Sequence, residues 1–499
     1  MRENKSKTKI SSGNMPKWCK FLFLSLPVLI SFFQQRILDN DFYFLYATGD
    51  YIVKHGFPYT DMLSMHSSMK IVVQQWLSSV LFYFSYKSLG EAGVIIMLYA
   101  VNFLIVFLTY RLISLISKNE IIAAPLTALI NILLFDPFMV TRPQIFTYAV
   151  LLAEVLLLEK YVQTSKFKYL AGIPVLSLLL INLHAAMWPM LLVFMLPYLV
   201  SAFPLNTKSV KHEATGDLMM LGAVFVISIV IGLLNPYGFE NMLYLTKSYG
   251  NDSLGIISEM KPTSLDVTEG KSFFLVFAII FLIIFFIRKR LFSVRFFLLF
   301  AGTLLLGLLQ IKGIPYFFLF GVPAFSYSIK DLDITDIAEK LKKQVSKRLK
   351  VIFCIFLCLA VFFVCEARYL VTDKINRTEK EHIQSLNNIV GILNESEEPV
   401  VLYANFNDGQ YYEFHGYHPY IDGRAELYIE ENNREYDYFD EYQMLFHGSY
   451  YYRDFVDKYQ FNYLSVSKGL DCYLYTSLLH DEDFELVYDS DYVALFVRK

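Results

Sequence analysis

The sequence predicts an α-helical polytopic membrane protein with about eleven transmembrane helices, at roughly 20 apolar residues per span, followed by a C-terminal extracytoplasmic α/β domain. Composition carries the first half: of 499 residues, 55% are hydrophobic and 17% aromatic. Only 18% are charged, against about 25% in an average soluble chain. The other observation is positional, since long apolar stretches such as Phe273–Ile287 and Val351–Val364 recur and then cease after residue 367. A net charge of −3 gives no electrostatic reason to expect nucleic acid.

The N-terminal tail carries Arg2, Lys5, Lys7, Lys9, Lys17 and Lys20, so it should stay in the cytoplasm. The first span, Cys19 to Gln35, lacks a small-residue cleavage site after it and reads as an anchor. A first outer loop follows, 36–91, in which a polar, aromatic, helix-like stretch runs from Asp41 to Trp76-Leu77. Further spans are expected near 92–114, 121–136, 144–161, 168–184, 187–204, 217–234, 271–287, 294–311, 314–329 and 351–367. Alternation then gathers Lys160, Lys166 and Lys168, Lys208 and Lys211, Arg288 to Arg290, and Lys340 to Lys350 on the cytoplasmic side. An odd span count places the tail outside. The domains so expected are a transmembrane unit, 1–368, and an outer unit, 369–499.

The tail is acidic and rich in Tyr and Phe. Strand-like runs (Val400–Tyr403, Tyr463–Val466, Tyr492–Val497) alternate with helical stretches, Arg377–Leu393 and Tyr436–Phe446, the pattern of a small α/β domain. Cys354, Cys358 and Cys365 fall on one face of the last span and Cys472 stands alone, so no disulfide framework or metal spacing emerges.

On this topology the outward polar residues include Asp39, Asp41 and Asp61 with Gln75 in the first loop, Arg142 and Gln144 in the second, and Asn182 and His184 in the third. Asn235, Tyr237 and Glu259 lie in the fourth loop and Lys312 in the fifth. The outer face has neither ATP nor nucleotide-sugars, so group transfer there draws on a lipid-carried donor. A lipid-phosphate sugar has an anionic leaving group, which calls for cationic or hydrogen-bonding groups. Arg142, His184 and Lys312 suit that role, Arg most of all because its fork binds two phosphate oxygens. Attack by an acceptor hydroxyl calls for a carboxylate base, Asp41 or Asp39. No cofactor is required; the same two acids could hold Mg2+ or Mn2+ through oxygen ligands. Asp61, Gln75, Gln144, Asn235, Tyr237 and Glu259 are candidates to bind substrate.

Plainer roles exist for each. Asp39 and Asp41 could cap a helix, Arg142 and Lys312 could anchor at the interface, and His184 could be a packing residue. Asn235-Pro236-Tyr237-Gly238 reads as a turn. Charges here sit almost wholly at span ends, whereas a transporter builds its site at mid-membrane; Glu154 is the main exception.

The runs Asp39–Ile52, His55–Ser64 and Gln75-Trp76-Leu77 resemble bacterial polytopic GT-C-type glycosyltransferase-like proteins, of the superfamily that includes protein mannosyltransferases. So do Arg142-Pro143-Gln144, Asn182-Leu183-His184, Leu234–Gly238, Lys312–Pro315 and Ile421–Tyr428. The resemblance implies an inverting transfer from a polyprenyl-phosphate sugar to a cell-surface glycan, lipid or protein acceptor, in the bacterial plasma membrane. It also implies that an acid of the first loop, best matched by Asp41, is base or metal ligand. One departure stands out: relatives carry His-Glu before Trp-Leu, where this chain has Gln74-Gln75. That departure favours the alternatives, a non-catalytic subunit or a lipid or glycan transporter retaining the fold. A polymerase or ligase using diphosphate-linked oligosaccharide would want more cations than these loops supply. In the outer domain, Asp422 and Arg424 form a local turn pair or line a surface over the cavity and help choose the acceptor glycan, and Tyr411, Tyr412, Tyr417 and Tyr420 could stack on sugars.

Overall fold

The computed structural model describes residues 17, 20–21, 23–25, 38–203, 216–248, 259, 261–264, 273–288, 293–330 and 377–499. The expected first span, apart from 20–21 and 23–25, lies outside these residues, as do the last span and Cys354, Cys358 and Cys365.

A helical bundle comes first. It comprises α1 (Asp41–His55), α2 (Trp76–Leu89), α3 (Glu91–Ser117), α4 (Glu120–Phe138), α5 (Gln144–Thr164), α6 (Gly172–Leu183), α7 (Trp188–Ala202), α8 (Leu218–Ile231), α9 (Phe273–Arg288) and α10 (Val294–Leu309). By length and composition, Glu91–Ser117 and Ala185–Ala202 are long and apolar enough to cross a membrane; Glu120–Phe135, Phe167–Leu183, Leu218–Ile231, Phe274–Ile284 and Val294–Leu309 are apolar but shorter. The helices begin where the sequence supplies caps. The Asn119 side chain accepts from Ile121 N–H ahead of α4, and the Asp217 carboxylate from Met219 and Met220 N–H ahead of α8.

Inside the bundle some of the buried polar groups join neighbouring helices. Trp188 Nε1 donates to Ser177 Oγ at 2.8 Å, and Ser177 donates in turn to the Ser228 carbonyl at 2.8 Å, tying α6, α7 and α8. Arg295 of α10 meets Glu159 of α5 at 2.8 Å, both buried. Glu154 is fully buried and neither carboxylate oxygen finds a hydrogen-bond partner.

The first outer loop is not one continuous helical stretch. Gly56, at φ 88°, ends α1, and 56–75 runs irregularly through a single bridge between Thr60 and Lys70. Gly56-Phe57-Pro58 breaks the helix, and the Asp61 carboxylate takes over by accepting from Ser64 N–H at 2.9 Å and Ser64 Oγ at 2.6 Å. Packing of α1 on α2 requires glycine at 49, where a Cβ would stand 2.3 Å from the Ser79 carbonyl oxygen. We expect Gly49→Ala to lower the melting temperature in detergent, at a cost of about 1–3 kcal/mol from overpacking. Unchanged melting would show that the two helices part freely.

The C-terminal unit opens with helix α11 (377–394), then β1 (Leu402–Ala404), α12 (Gly409–Phe414), α13 (Tyr438–Phe446), α14 (Tyr452–Tyr459), β2 (Tyr463–Ser467), α15 (Cys472–Leu479), β3 (Phe484–Asp489) and β4 (Val493–Arg498). Its sheet runs β1-β2-β4-β3, with β1 parallel to β2 and the other pairs antiparallel. This unit is rooted in the bundle's outer loop. One hydrophobic core unites Met69, Ile71, Val72 and Val73 with Tyr403, Tyr420, Phe455 and Leu464; another unites Phe42, Tyr43 and Phe82 with Leu386, Leu402, Tyr412 and Val493. Tyr411, Tyr412 and Tyr420 are accordingly buried packing residues, and the Tyr417 hydroxyl is bound to Asn394 at 2.7 Å. They are not the sugar-stacking platform that their sequence suggested, because the sheet and its helices take up their faces.

Candidate active site

The joint between α4 and α5 supplies the centre of the site. Arg142 N–H donates to the Val140 carbonyl at 2.8 Å, a tight bend that Pro143 extends into α5. The same bend seizes the start of α1, since Asp39 N–H donates to Thr141 Oγ1 at 2.9 Å. Three carboxylates converge on the guanidinium. Arg142 Nε lies 2.7 Å from Asp39 Oδ1 and 3.0 Å from Asp41 Oδ2, while Nη1 lies 2.7 Å from Glu259 Oε1. Three acids to one base leave an excess of negative charge.

Asp41 takes the consequence. Removal from water pushes its carboxyl up to about 7, the negative charges of Asp39 and Glu259 add to this, and Arg142 opposes it. A carboxyl poised near neutrality is what a general base at that pH requires.

Asp41, Arg142 and Glu259 face a cavity of about 970 Å³. Gln75, Gln144, His184 and Lys312 also line it, and Phe138, Val140, Met187, Met190, Leu306 and Leu309 give it an apolar flank. The Lys312 amine, in the turn after α10, is brought down to about 8 by burial. Its turn needs Gly313, where a Cβ would stand 2.3 Å from the Leu306 carbonyl oxygen. His184 closes α6 and its Nδ1 shares a hydrogen bond with Thr147 Oγ1 at 2.8 Å, which fixes the ring. The first loop is clipped against this region at several points. Ala185 N–H donates to the Gln74 carbonyl at 2.8 Å and Ala186 N–H to Gln74 Oε1 at 3.0 Å. Trp76 Nε1 donates to Asn182 Oδ1 at 2.8 Å. Gln74 and Asn182 are thus positioning residues. The side-chain carbonyl oxygens of Gln75 and Gln144 are buried with no hydrogen-bond partner, on the wall of a cavity that could supply one.

The other expected site residues lie elsewhere. Asp39 stands behind the lining, reached through Arg142. Asp61 is buried against Arg424 at 2.7 Å, away from the lining. Asn235 builds its own turn, donating to the Gly232 and Gly238 carbonyls at 2.8 and 3.0 Å and accepting from Tyr237 N–H at 2.9 Å. The Tyr237 hydroxyl donates to the Pro58 carbonyl at 2.9 Å. Asp61, Asn235 and Tyr237 therefore hold loops together and do not line the cavity.

A divalent ion fits this arrangement poorly. Among the described residues no group of three or more His, Cys, Asp or Glu side chains is disposed to hold a metal. The guanidinium of Arg142 stands between the acids, where the positive charge of such an ion would lie.

Residues without an assigned role in the sequence also line the cavity, chiefly from the C-terminal unit. They include Asn407, Gln410, Glu426 and Asn432, together with Lys70 and Tyr244; Arg424 lines it as well, while Asp422 stands behind it. Lys70 pairs with Glu240 at 2.6 Å, and the Tyr244 hydroxyl donates to Glu426 Oε1 at 3.0 Å. Glu426 belongs to the run Ile421–Tyr428 singled out above; nothing in that run separates it from its neighbours.

No family model matches the chain, and no curated protein matches it in sequence. Solved structures do. The archaeal oligosaccharyltransferase AglB from Archaeoglobus fulgidus, in complex with an inhibitory peptide and a dolichol-phosphate, is similar over 93% of this chain and 71% of that one, with a TM-score of 0.60 and 12% identity. The apo form of the Archaeoglobus fulgidus oligosaccharyltransferase is similar over 90% of this chain and 70% of that one, with a TM-score of 0.56 and 11% identity. The form tethered to an acceptor peptide containing the NVT sequon covers 90% and 69%, at TM-score 0.56 and 12% identity. At such identities the likeness speaks for architecture alone: the helical bundle and the C-terminal α/β unit together share the fold of that oligosaccharyltransferase.

Proposed function

We propose that this chain is a membrane glycosyltransferase that moves a sugar from a polyprenyl-phosphate donor to a glycan, lipid or protein acceptor at the outer face of a bacterial plasma membrane. The observation that carries the reading is the meeting of Asp41, Arg142, His184, Lys312 and Glu259 in one cavity with an apolar flank. The fold shared with AglB, whose structure holds a dolichol-phosphate, supports it. The topology that goes with the reading has about eleven spans, a cytoplasmic N-terminus and an outward α/β unit.

In this mechanism the polyprenyl tail lies along the apolar flank and the phosphate faces Arg142, Lys312 and His184. The Asp41 carboxylate accepts the proton of an acceptor hydroxyl as its oxygen attacks the anomeric carbon. The bond from that carbon to the phosphate oxygen breaks on the opposite face, so configuration inverts, and the electron pair leaves with the phosphate. Cationic groups already in place stabilise the charge that grows there without reorganising. Gln75 and Gln144 offer buried acceptors to sugar hydroxyls.

Purified protein in liposomes with a radiolabelled polyprenyl-phosphate sugar tests the reading. Label in a new glycosidic bond supports it; label carried across the bilayer without a new bond refutes it and points to a transporter, the alternative that Gln74-Gln75 favours. Arg142→Ala should weaken binding of a lipid-phosphate analogue by about ten- to hundredfold, the worth of a charged hydrogen bond. Titration of the analogue by tryptophan fluorescence measures it, and an unaltered dissociation constant would remove Arg142 from the phosphate site.

A further inference from the structure

The wall that the C-terminal unit contributes differs in chemistry from the wall facing it. On the bundle side stand charged groups of both signs, Arg142 and Lys312 with Asp41 and Glu259, beside His184. On the C-terminal side stand the carboxamides Asn407, Gln410 and Asn432, the carboxylate Glu426 and the ring of Phe406, with the ring of Tyr244 brought in from the bundle by its hydrogen bond to Glu426 and the Lys70 amine, paired with Glu240, at the edge. Arg424, the one cation that the C-terminal unit adds to the lining among the described residues, is cancelled from behind by Asp61, Glu413 and Asp422 at 2.7, 3.3 and 2.6 Å. Even with Glu413 protonated, as burial favours, the other two carboxylates outnumber the guanidinium. The negative charge of Glu426 extends across the cavity to Asp41 and Lys312. The wall therefore offers amides, aromatic faces and net negative charge.

From that juxtaposition we infer that the C-terminal wall is the acceptor subsite, that it takes an uncharged carbohydrate, and that Glu426 is the residue that rejects anionic acceptors. The inference rests on the transfer reaction proposed above and narrows its acceptor. Carboxamides donate and accept at once, as sugar hydroxyls do. Aromatic faces suit the apolar faces of pyranose rings. A peptide held in extended form would need a strand edge to pair with, yet among the described residues none from β1 to β4 lines the cavity. A uronic acid or phosphorylated glycan would bring like charge against Glu426, a penalty for which the C-terminal unit, among the described residues, supplies no uncancelled cation.

Saturation-transfer NMR on the full chain in nanodiscs provides the test. The probes are matched neutral and uronic-acid di- and trisaccharides of the common hexoses, with a short uncharged peptide as comparison. The expected result is saturation of neutral sugars, with uronic acids bound at least about tenfold more weakly, the cost of one like-charge contact in a partly hydrated site. E426Q should close that gap and E426K reverse it, in proteins that melt as the wild type does. Uronic acids bound as well as neutral sugars, preference for the peptide, no sugar bound, or a gap indifferent to both substitutions would each overturn the inference. Neutral sugar bound by a protein that never turns over a lipid-phosphate donor would refute the transfer reaction and leave the carbohydrate subsite standing.

Discussion

Asp41→Asn should lower the rate of sugar transfer by about 10²–10⁴-fold, the contribution of a positioned general base, with membrane insertion and melting temperature retained. Asparagine keeps the shape and one hydrogen-bond acceptor for Arg142 but cannot take a proton. The pH profile sharpens the test. A base must be deprotonated, and burial holds the Asp41 carboxyl up at about 7. Activity should therefore climb as pH rises through about 7, where an ordinary aspartate would have finished titrating near pH 4. In Asp41→Asn the residual activity should lose that limb. Full activity in the purified variant, or a wild-type profile flat between pH 5 and 9, would dismiss Asp41 as the base.

The second large effect concerns stability. Arg424 holds Asp61 of the first outer loop together with Glu413 and Asp422 of its own unit, and all four side chains are buried. The Tyr428 hydroxyl and the Arg424 N–H also bind Asp422. Arg424→Leu would strand carboxylates in the interior, and breaking a buried ion pair from one side costs about 3–5 kcal/mol. We expect a lowered melting temperature in detergent and faster proteolytic cleavage between residues 56 and 75, the segment this contact holds. Asp61→Asn, which retains an acceptor for the guanidinium, should cost less. Melting of Arg424→Leu at the wild-type temperature would mean that the hydrophobic contacts of Met69 to Val73 fasten the loop by themselves.

How much of this the sequence discloses depends on distance along the chain. Helices α3 to α10 are legible because an apolar run of that length has few other uses, and β2 and β4 because buried strands read as short apolar runs. Strand β3 is mostly exposed along its length, so Phe484–Asp489 shows no such run and escapes notice. The convergence of Asp39, Asp41, Arg142, Glu259 and Lys312 is what the expected sidedness would bring about, since charges at the ends of apolar runs on one face would have little room to avoid each other. Sidedness cannot tell a residue in the cavity from one beside it. Asn235 and Tyr237 lie on the same face and serve a turn and a loop contact instead. Nor does any local signal couple Asp61 to Arg424, which meet across more than three hundred and fifty positions. Glu426 is invisible for the same reason: what gives it a role is the neighbour it faces.

That the loop segment Met69–Val73 shares a core with the last hundred residues has a bearing on biogenesis. A ribosome delivers the loop well before its packing partners, Tyr403 to Phe496, so the pocket remains unfinished until those residues have been made. A nascent or truncated chain would own the acids and the arginine yet lack the wall that completes their enclosure. On the transfer reaction proposed above, a competent site exists only once those later residues have folded against the loop.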